Sequence, residues 1–177
     1  MAINRKLNTQ ELNRITIEQF KIAKKREVVV VLDNVRSGHN IGSAFRTADA
    51  FAIEAIYLCG ICRVPPSAEI RKSALGAEES VTWRYFKEST QAVASLIEAG
   101  YRVVAVEQTL NSISLEHFTI EKERPYALVF GNEVKGVSQE VIDMCHSAVE
   151  IPQWGTKHSL NLSVAVGVTL WELVAKL

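Results

Sequence analysis

The sequence has too few cysteines for a disulfide scaffold, and they are poorly spaced for a metal site. The 177 residues contain three cysteines, Cys59, Cys62 and Cys145, and an odd number argues against a disulfide framework. Cys59 and Cys62 have C-x-x-C spacing, but a structural zinc site needs four ligands and no second pair follows at a usable distance. A redox dithiol usually begins a helix, whereas this pair ends a predicted strand. We therefore favour packed thiols over a metal or redox site.

An apolar signal core and a hydrophobic run of membrane length are also missing. Residues 1–6 contain no apolar signal core. The longest strongly apolar stretch, Leu160–Trp171, is interrupted by three polar residues and is too short to span a bilayer. We expect a cytoplasmic protein without a membrane partner. A chain of this length predicts one domain with its own core.

The chain has no net charge, but its basic residues are unevenly distributed. Residues 1–26 carry a net charge of +5 and the remainder −5. A basic segment on a neutral protein is suited to binding a polyanion, although a solvated helix face explains it equally well. We therefore separate a basic N-terminal helical segment, 1–26, from a main domain, 27–177. The candidate polyanion-binding side chains are Arg14, Lys21, Lys24, Lys25 and Arg26.

Apolar periodicity predicts strands that alternate with helices. The β-branched run Val28–Leu32 is typical of a central parallel strand buried on both faces. Further strands are predicted at Ala55–Cys59, Val81–Phe86, Arg102–Val106, Ala127–Phe130 and Ala148–Ile151. Helices are predicted from Asn8 or Thr9 to about Lys25, from Ser37 or Asn40 onward, and at Ser67–Leu75, Glu88–Ala99, Ser138–Cys145 and Lys157–Lys176. This order predicts an α/β fold with a mainly parallel sheet and helices on both faces, without repeats or a domain linker.

Three polar segments follow predicted strands. They are Asp33–Ala50, Val129–Ser138 and Ser159–Ser163, the last opening an apolar helix shortly after Ile151-Pro152. Short polar side chains at a helix start can cap it, but capping accounts for only one of Ser159, Asn161 and Ser163. Ligands of open α/β sheets bind where loops leave the carboxyl ends of strands. The three segments therefore predict one shared pocket.

The two common nucleotide-binding motifs are absent. The stretch from Gly131 to Ser138 fails as a P-loop because Val137 stands where lysine is required, and no G-x-G-x-x-G is present. What remains is a turn in which Asn132 and Glu133 are suited to holding a small polar ligand.

Arg46 is a candidate anion-binding side chain. Gly42 and Ser43 share its predicted helix face and are small, so they would leave a cleft in which the guanidinium could fork onto a phosphate or carboxylate. A surface ion pair between Arg46 and Asp49, three residues apart, is the alternative.

The three polar segments together resemble the three motifs of the SpoU-type (TrmH-type) RNA ribose 2′-O-methyltransferases. The asparagine and arginine of the first motif fall on Asn40 and Arg46. The second motif falls on Phe130, Gly131, Asn132, Glu133 and Gly136. The third falls on Ile151, Pro152, Ser159, Leu160, Asn161, Ser163 and Ala165. The resemblance covers about residues 27–176, and three motifs in the family's order are far more specific than one.

The resemblance implies a fold and a cofactor. Members have a deep C-terminal trefoil knot whose loops hold S-adenosylmethionine, although ordinary topology rules argue against knots. It also implies a homodimer packed partly through the C-terminal helix, with the site near the interface. The residues expected to contact S-adenosylmethionine are Val106, Glu107, Gly131, Ile151 and Leu160.

The resemblance also implies roles for the polar residues. Proposals for the family make the motif-one arginine, here Arg46, a base, but arginine almost never releases its proton. We therefore expect Arg46 to clamp a phosphate and the developing charge on the ribose oxygen, with Asn40 orienting it. Ser159 and Asn161 would shape the ribose pocket, and Glu133 would fix the ligand loop.

The resemblance leaves the RNA substrate open. The chain shows no separate RNA-binding domain of the kind many relatives carry, which would leave recognition to the basic segment and the dimer surface. Transfer RNA is favoured over ribosomal RNA. The alternatives are an RNA-binding member of the fold that has lost catalysis, and a small-molecule enzyme that binds phosphate at the Gly131 loop.

Overall fold

The protein folds around one parallel β-sheet. The computed structural model describes residues 4–177, so residues 1–3 of the predicted basic segment lie outside the described residues. Within residues 4–177, seven parallel strands pair in the order β3-β2-β1-β6-β4-β7-β5. The strands are β1 (Arg26–Asp33), β2 (Ile53–Cys59), β3 (Thr82–Phe86), β4 (Arg102–Val106), β5 (Ile113–Ser114), β6 (Tyr126–Phe130) and β7 (Ser147–Glu150). The helices are α1 (Ile17–Ile22), α2 (Gly38–Ala50), α3 (Ala68–Ala74), α4 (Ala77–Ser80), α5 (Ser89–Glu98), α6 (Gln139–Met144) and α7 (Leu162–Lys176), with 3-10 turns at Gln10–Leu12 and Leu115–His117.

Helices cover both faces of the sheet, as the sequence predicts. Alternate residues of β1 point to opposite faces, so Val30 and Leu32 join one core cluster while Val29 and Val31 join the other. The first cluster includes buried side chains of α2, α3 and α7, and the second includes those of α5 and α6. The uninterrupted β-branched run of β1 is therefore buried on both sides, which confirms the prediction of a central parallel strand.

The strand order places four loops side by side. Leu32 of β1 pairs with Phe130 of β6, and Val129 of β6 pairs with Ala105 of β4. Val106, the last residue of β4, pairs with Val149 of β7. Because the strands are parallel and end together, the loops after β1, β6, β4 and β7 leave the same edge of the sheet. This edge carries the candidate site.

The predicted first helix, from Asn8 or Thr9 to about Lys25, does not form. Its segment contains a 3-10 turn, a left-handed residue at Asn13 (φ 47°) and the short helix α1. Thr16 and Gln19 form a reciprocal capping box at the start of α1. The predicted helix would have Leu12, Ile15, Phe20 and Ile22 as its apolar stripe, but only Phe20 is buried. A helix with so little burial has no tertiary support for a longer run.

The last helix begins later than predicted. The sequence predicts a helix at Lys157–Lys176, but α7 starts at Leu162, and Asn161 is its N-cap with extended backbone (ψ 139°). The Asn161 side chain accepts a hydrogen bond from the Ser163 N–H at 2.9 Å, which fixes the start of the helix there. Ser159 and Leu160 therefore belong to a loop. The short elements α4 and β5 were not predicted, because two to four residues carry no periodic signal.

The C-x-x-C cysteines are buried as thiols. Cys62 Sγ donates to the Leu32 carbonyl at 3.3 Å and accepts from the Val35 N–H at 3.2 Å. Burial raises the pKa of Cys59 to about 12 and that of Cys62 to about 11. Within residues 4–177 no cluster of His, Cys, Asp or Glu is arranged to hold a metal ion. Over the same part of the chain, no helix is long and apolar enough to cross a membrane.

Candidate active site

A cavity of about 590 Å³ lies at the carboxyl ends of β4, β6 and β7. The loops that follow these strands and the loop that leads into α7 form its wall. The structure brings together all five residues predicted to contact a cofactor, and each lines this cavity: Val106, Glu107, Gly131, Ile151 and Leu160. Its volume falls in the range of about 300–1,000 Å³ that is usual for small-molecule sites.

Glycines shape the turn after β6, on one side of the cavity. Asn132 and Gly136 exchange two backbone hydrogen bonds, of 3.0 and 2.8 Å, which close the turn tightly. A Cβ on Gly131 would lie 2.0 Å from the carbonyl carbon of Gly136. Gly136 itself has a φ of +70°, a conformation that glycine adopts without strain. The turn therefore depends on the absence of side chains at both positions.

Glu107 holds the turn after β6 against the loop after β4. Its carboxylate accepts hydrogen bonds from the backbone N–H groups of Val137 and Gln108, both at 2.9 Å. Gln108 in turn donates to the His158 carbonyl at 2.7 Å, which ties the β4 loop to the loop before α7. Glu107 thus lines the cavity while its carboxylate is engaged by the protein.

Glu133 ties the turn after β6 to the start of α2. Its carboxylate accepts hydrogen bonds, each of 3.0 Å, from the backbone N–H groups of Arg36 and Ser37 and from the Asn40 side-chain amide. Burial favours the neutral acid, but these donors outweigh it and lower the pKa of Glu133 from its ordinary value of 4.5. Glu133 is therefore a carboxylate at neutral pH, and it links the turn after β6 to the start of α2.

A chain of side-chain hydrogen bonds joins the three motifs at the rim of the cavity. Because the Glu133 carboxylate can only accept, the amide nitrogen of Asn40 faces it and the Asn40 oxygen faces Asn161. The Asn161 amide donates to that oxygen at 3.2 Å. The Asn161 oxygen accepts from the N–H and hydroxyl of Ser163. Each side chain in this series is hydrogen-bonded to the next, so the series positions both asparagines.

A buried carboxylate at the end of β1 helps to fix the loops that follow β1 and β6. Asp33 at the end of β1 is 1% exposed, and it accepts hydrogen bonds from the Ser89 hydroxyl, the Asn34 amide and the backbone N–H of Ser138. A buried charge requires such donors. Asn132 adds a second link, because its amide donates to the Asn34 carbonyl at 2.8 Å. The loops after β1 and β6 are therefore fixed relative to each other.

Arg46 stands apart from the other predicted catalytic residues. Glu133, Ser159 and Asn161 line the cavity and Asn40 is bonded to two of them, whereas Arg46 does not line it. Arg46 is exposed on α2, six residues or roughly 9 Å along the helix axis from Asn40. Within residues 4–177 it makes no hydrogen bond or ion pair, so neither the expected contact with Asn40 nor the pair with Asp49 is formed.

Gly42 does not form the open wall that we expected beside Arg46. Gly42 is buried against α3, where a Cβ would lie 2.3 Å from the Ile70 carbonyl oxygen and 2.2 Å from the Ser73 hydroxyl. Its small size serves close packing of α2 on α3, which periodicity alone did not reveal. Asp49 accepts a hydrogen bond from the Ser80 hydroxyl.

The basic N-terminal side chains divide into two groups. Arg14, Lys21 and Lys24 are exposed. The Lys25 ammonium instead donates to the Ala23 carbonyl at 3.1 Å and lies 3.9 Å from the centre of the Phe20 ring. Arg26 donates to the Phe51 carbonyl at 2.8 Å. Lys25 and Arg26 therefore stabilise the end of α1 and the start of β1.

Sequence reasoning missed several side chains at this edge of the sheet. Gln108 and His158 line the cavity, and Arg36 lies beside it. Gln108 directly follows the strand that ends at Val106, and His158 directly precedes the third polar segment. Their position after a strand or next to a motif was the available signal.

The fold and the cavity define the class of this protein: an α/β protein with a ligand pocket at the carboxyl ends of parallel strands. The sequence model of the SpoU rRNA Methylase family matches residues 27–171, and the chain belongs to this family. The resemblance read from the three motifs is confirmed.

Individual relatives agree with this assignment. The chain is 30% identical over 152 residues to the tRNA (guanosine(18)-2′-O)-methyltransferase of Aquifex aeolicus, covering 84% of this chain and 69% of that protein. It is 29% identical over 160 residues to a putative TrmH family tRNA/rRNA methyltransferase of Staphylococcus haemolyticus, covering 90% of this chain and 63% of that one. The chain thus spans about two thirds of the length of these relatives.

A solved structure with the same fold contains a bound cofactor. The AdoMet-bound rRNA methyltransferase from Sinorhizobium meliloti superposes with a TM-score of 0.79 at 31% identity, covering 87% of this chain and 58% of that one. AdoMet is S-adenosylmethionine.

Proposed function

We propose that the protein is an S-adenosylmethionine-dependent methyltransferase that methylates a ribose 2′-hydroxyl in RNA. The observation that carries this is the hydrogen-bonded chain from Glu133 through Asn40 and Asn161 to Ser163 at the rim of the cavity. It brings all three family motifs to one place. A member that had lost catalysis would be under no chemical requirement to keep these side chains mutually bonded.

The cavity fits S-adenosylmethionine. Its volume suits a ligand of that size, and the turn from Gly131 to Gly136, which lines it, closes only without a Cβ at Gly131. Val106, Ile151 and Leu160 supply apolar walls, and Glu107 holds two of the loops in place. When bound, S-adenosylmethionine supplies a methyl group activated by its positively charged sulfur. Family membership also supports a trefoil knot formed by these loops.

The residues at the rim position the ribose. Ser159 and Asn161 lie where the loop before α7 meets the cavity, and their hydroxyl and amide groups are suited to the ribose hydroxyls. Positioning of the 2′-oxygen for in-line attack is expected to supply much of the rate. Asn40 holds Asn161 in place, so its role is that of a positioning residue.

Arg46 is proposed to bind the phosphate next to the target ribose and to stabilise negative charge on the 2′-oxygen. An exposed guanidinium without a protein partner is free to bind RNA. It does not accept the proton, because arginine stays protonated in proteins.

A homodimer is proposed from the exposed face of α7. Val164, Val168 and Trp171 recur at helical spacing and are 49%, 39% and 65% exposed. Such an exposed apolar stripe, on the side of α7 away from its buried residues, marks an interface. The occupant is proposed to be the same face of a second copy, as the family resemblance implies.

Transfer RNA is the proposed substrate, with ribosomal RNA as the alternative. A solved structure described as giving insights into the 2-OH methylation of C/U34 on tRNA superposes with a TM-score of 0.74 at 27% identity, covering 84% of this chain and 95% of that one. This structural likeness supports tRNA. Lys21, Lys24 and Arg14 are proposed to contact RNA phosphates, and Lys25 and Arg26 contribute charge while supporting the fold. A cytoplasmic location is proposed, because tRNA and ribosomal RNA are the proposed substrates.

A methyl-transfer assay tests the proposed function. The protein is incubated with labelled S-adenosylmethionine and either bulk tRNA or ribosomal RNA, and the RNA is digested to nucleosides. The expected product is a 2′-O-methylated nucleoside from tRNA. Label on a base, or RNA binding without transfer, would contradict the proposal. Binding of nucleotides but not S-adenosylmethionine would indicate a small-molecule enzyme.

A further inference from the structure

A second cleft adjoins the cavity on the other side of the turn after β6. It measures about 630 Å³ and is lined by Arg36, Ser37, Ile61, Arg63, Glu133 and Val134. Glu133 and Val134 line both spaces. A substrate that reaches the rim of the cavity can therefore extend into this second cleft, which we call the Arg36–Arg63 cleft.

The charge of the Arg36–Arg63 cleft is available to an anion. Arg36 is exposed, and its guanidinium has no hydrogen bond or ion pair within residues 4–177. Arg63 makes one ion pair, at 3.5 Å with Glu69, and both side chains are about half exposed, so this pair is weak. The carboxylate of Glu133 already accepts from Arg36 N–H, Ser37 N–H and Asn40. The single acidic side chain of the cleft is therefore engaged by the protein.

The same cleft exposes apolar side chains. Ile61 is 61% exposed and Val134 is 79% exposed. Large exposed aliphatic groups beside two guanidinium groups suit a ligand that is partly flat and apolar and partly anionic. A nucleotide has this chemistry, since its base offers an apolar face and its phosphate binds arginine.

We propose that the Arg36–Arg63 cleft binds the RNA nucleotide that neighbours the target ribose. Arg36 and Arg63 contact its phosphate, and Ile61 and Val134 contact its base or sugar. This inference rests on the proposed function, because RNA must be the substrate. It assigns the position of the flanking nucleotide to the loops that follow β1, β2 and β6.

Charge-removing variants test the inference. Arg36→Gln, Arg63→Gln and the double variant are compared with Lys122→Gln, which removes the same charge from an exposed side chain just before β6, at the opposite edge of the sheet. Binding of bulk tRNA is measured from low to high salt, together with S-adenosylmethionine affinity and methyl-transfer kinetics. Thermal denaturation checks that each variant is folded.

Each single arginine variant is expected to bind tRNA about tenfold more weakly, as for loss of one charge-assisted contact. The slope of log K against log salt is expected to flatten by about 0.7–0.9 for each lost phosphate contact. The KM for tRNA should rise, while S-adenosylmethionine affinity stays at the wild-type value. Arg36→Lys should bind tRNA more tightly than Arg36→Gln, because lysine keeps the positive charge although it lacks the paired N–H groups of the guanidinium.

Two results would overturn the inference. If the arginine variants bind tRNA as the Lys122→Gln control does while the wild type methylates RNA, the cleft does not hold RNA and the proposed function stands. If they lose the dimer in sedimentation with unchanged tRNA binding, the cleft is a subunit contact. Absence of methyl transfer by the wild type would instead count against the proposed function, and the binding series would still decide whether the cleft binds RNA.

Discussion

The side-chain amide of Asn161 donates a hydrogen bond of 3.2 Å to the side-chain oxygen of Asn40, although 121 residues separate the two in the sequence. Asn161 caps α7, and Asn40 lies in the first turn of α2. The bond therefore links the two helices that begin at the rim of the cavity. It joins the first and third motifs directly.

Asn40 and Asn161 are expected to be energetically coupled in catalysis. Replacing either with Ala removes the partner of the other, so the double variant should lose little more kcat than the worse single variant. A coupling energy of about 0.5–3 kcal/mol is expected from a double-mutant cycle on methyl transfer. Asn111→Ala, at an exposed position after β4, is the control. Strictly additive losses would show that the two act independently.

Arg46→Lys should reduce turnover far more than cofactor affinity. Lysine keeps the positive charge but lacks the paired N–H groups with which a guanidinium binds a phosphate and a developing oxyanion. The kcat is therefore expected to fall about a hundredfold. S-adenosylmethionine affinity measured by calorimetry should be unchanged, because Arg46 does not line the cavity. Arg71→Lys, on the exposed face of α3, is the matched control. Equal losses of turnover and cofactor affinity would contradict the clamp role.

Glu133 should make a pH-dependent contribution to stability. Its pKa is lowered in the folded protein, so the carboxylate stabilises the fold above its ordinary pKa of 4.5, and this contribution is lost as the pH falls through the lower folded value. Glu133→Gln is expected to melt about 2–4 °C below the wild type near pH 7. The gap should narrow below pH 4.5. A gap that is constant from neutral to acidic pH would refute this assignment.

Gly131→Ala should disrupt the cavity while Gly155→Ala should not. A Cβ at Gly131 would lie 2.0 Å from the backbone of Gly136, whereas at Gly155 nothing lies within 4 Å. The first change is expected to cost about 1–3 kcal/mol in the free energy of unfolding, as overpacking does. S-adenosylmethionine affinity should fall with it. Calorimetry of both variants checks this, and similar affinities would mean that the turn adapts.

Trp171→Glu is expected to convert the proposed dimer into a monomer. A buried charge at the centre of an apolar interface would lack a partner, which opposes association. The control is Leu110→Glu, because Leu110 is 99% exposed and lies outside α7. Sedimentation or light scattering gives the mass of each variant. A Trp171→Glu protein that stays dimeric would move the interface away from α7.

Local sequence pattern determined most of the strands and helices. The run Val28–Leu32 could only be a strand buried on both faces, because β-branched residues continue without a polar alternate. The family resemblance supplied the five cofactor candidates, and the structure places all five in the wall of one cavity at the carboxyl ends of the strands. The pattern failed where burial was small, as in the N-terminal segment, and at Lys157–Ser159, where a loop precedes the cap.

The sequence by itself determined the α/β class, the family and the identity of the polar residues, because these depend on periodicity and on motifs within short stretches of chain. Only the tertiary structure decided which side chains touch. Three contacts join residues that are distant in sequence: the Asn40–Asn161 hydrogen bond, the hydrogen bond from Val137 N–H to the Glu107 carboxylate, and the packing of Gly42 on α3. Such contacts depend on strand order and on how loops leave the sheet, and local periodicity contains neither.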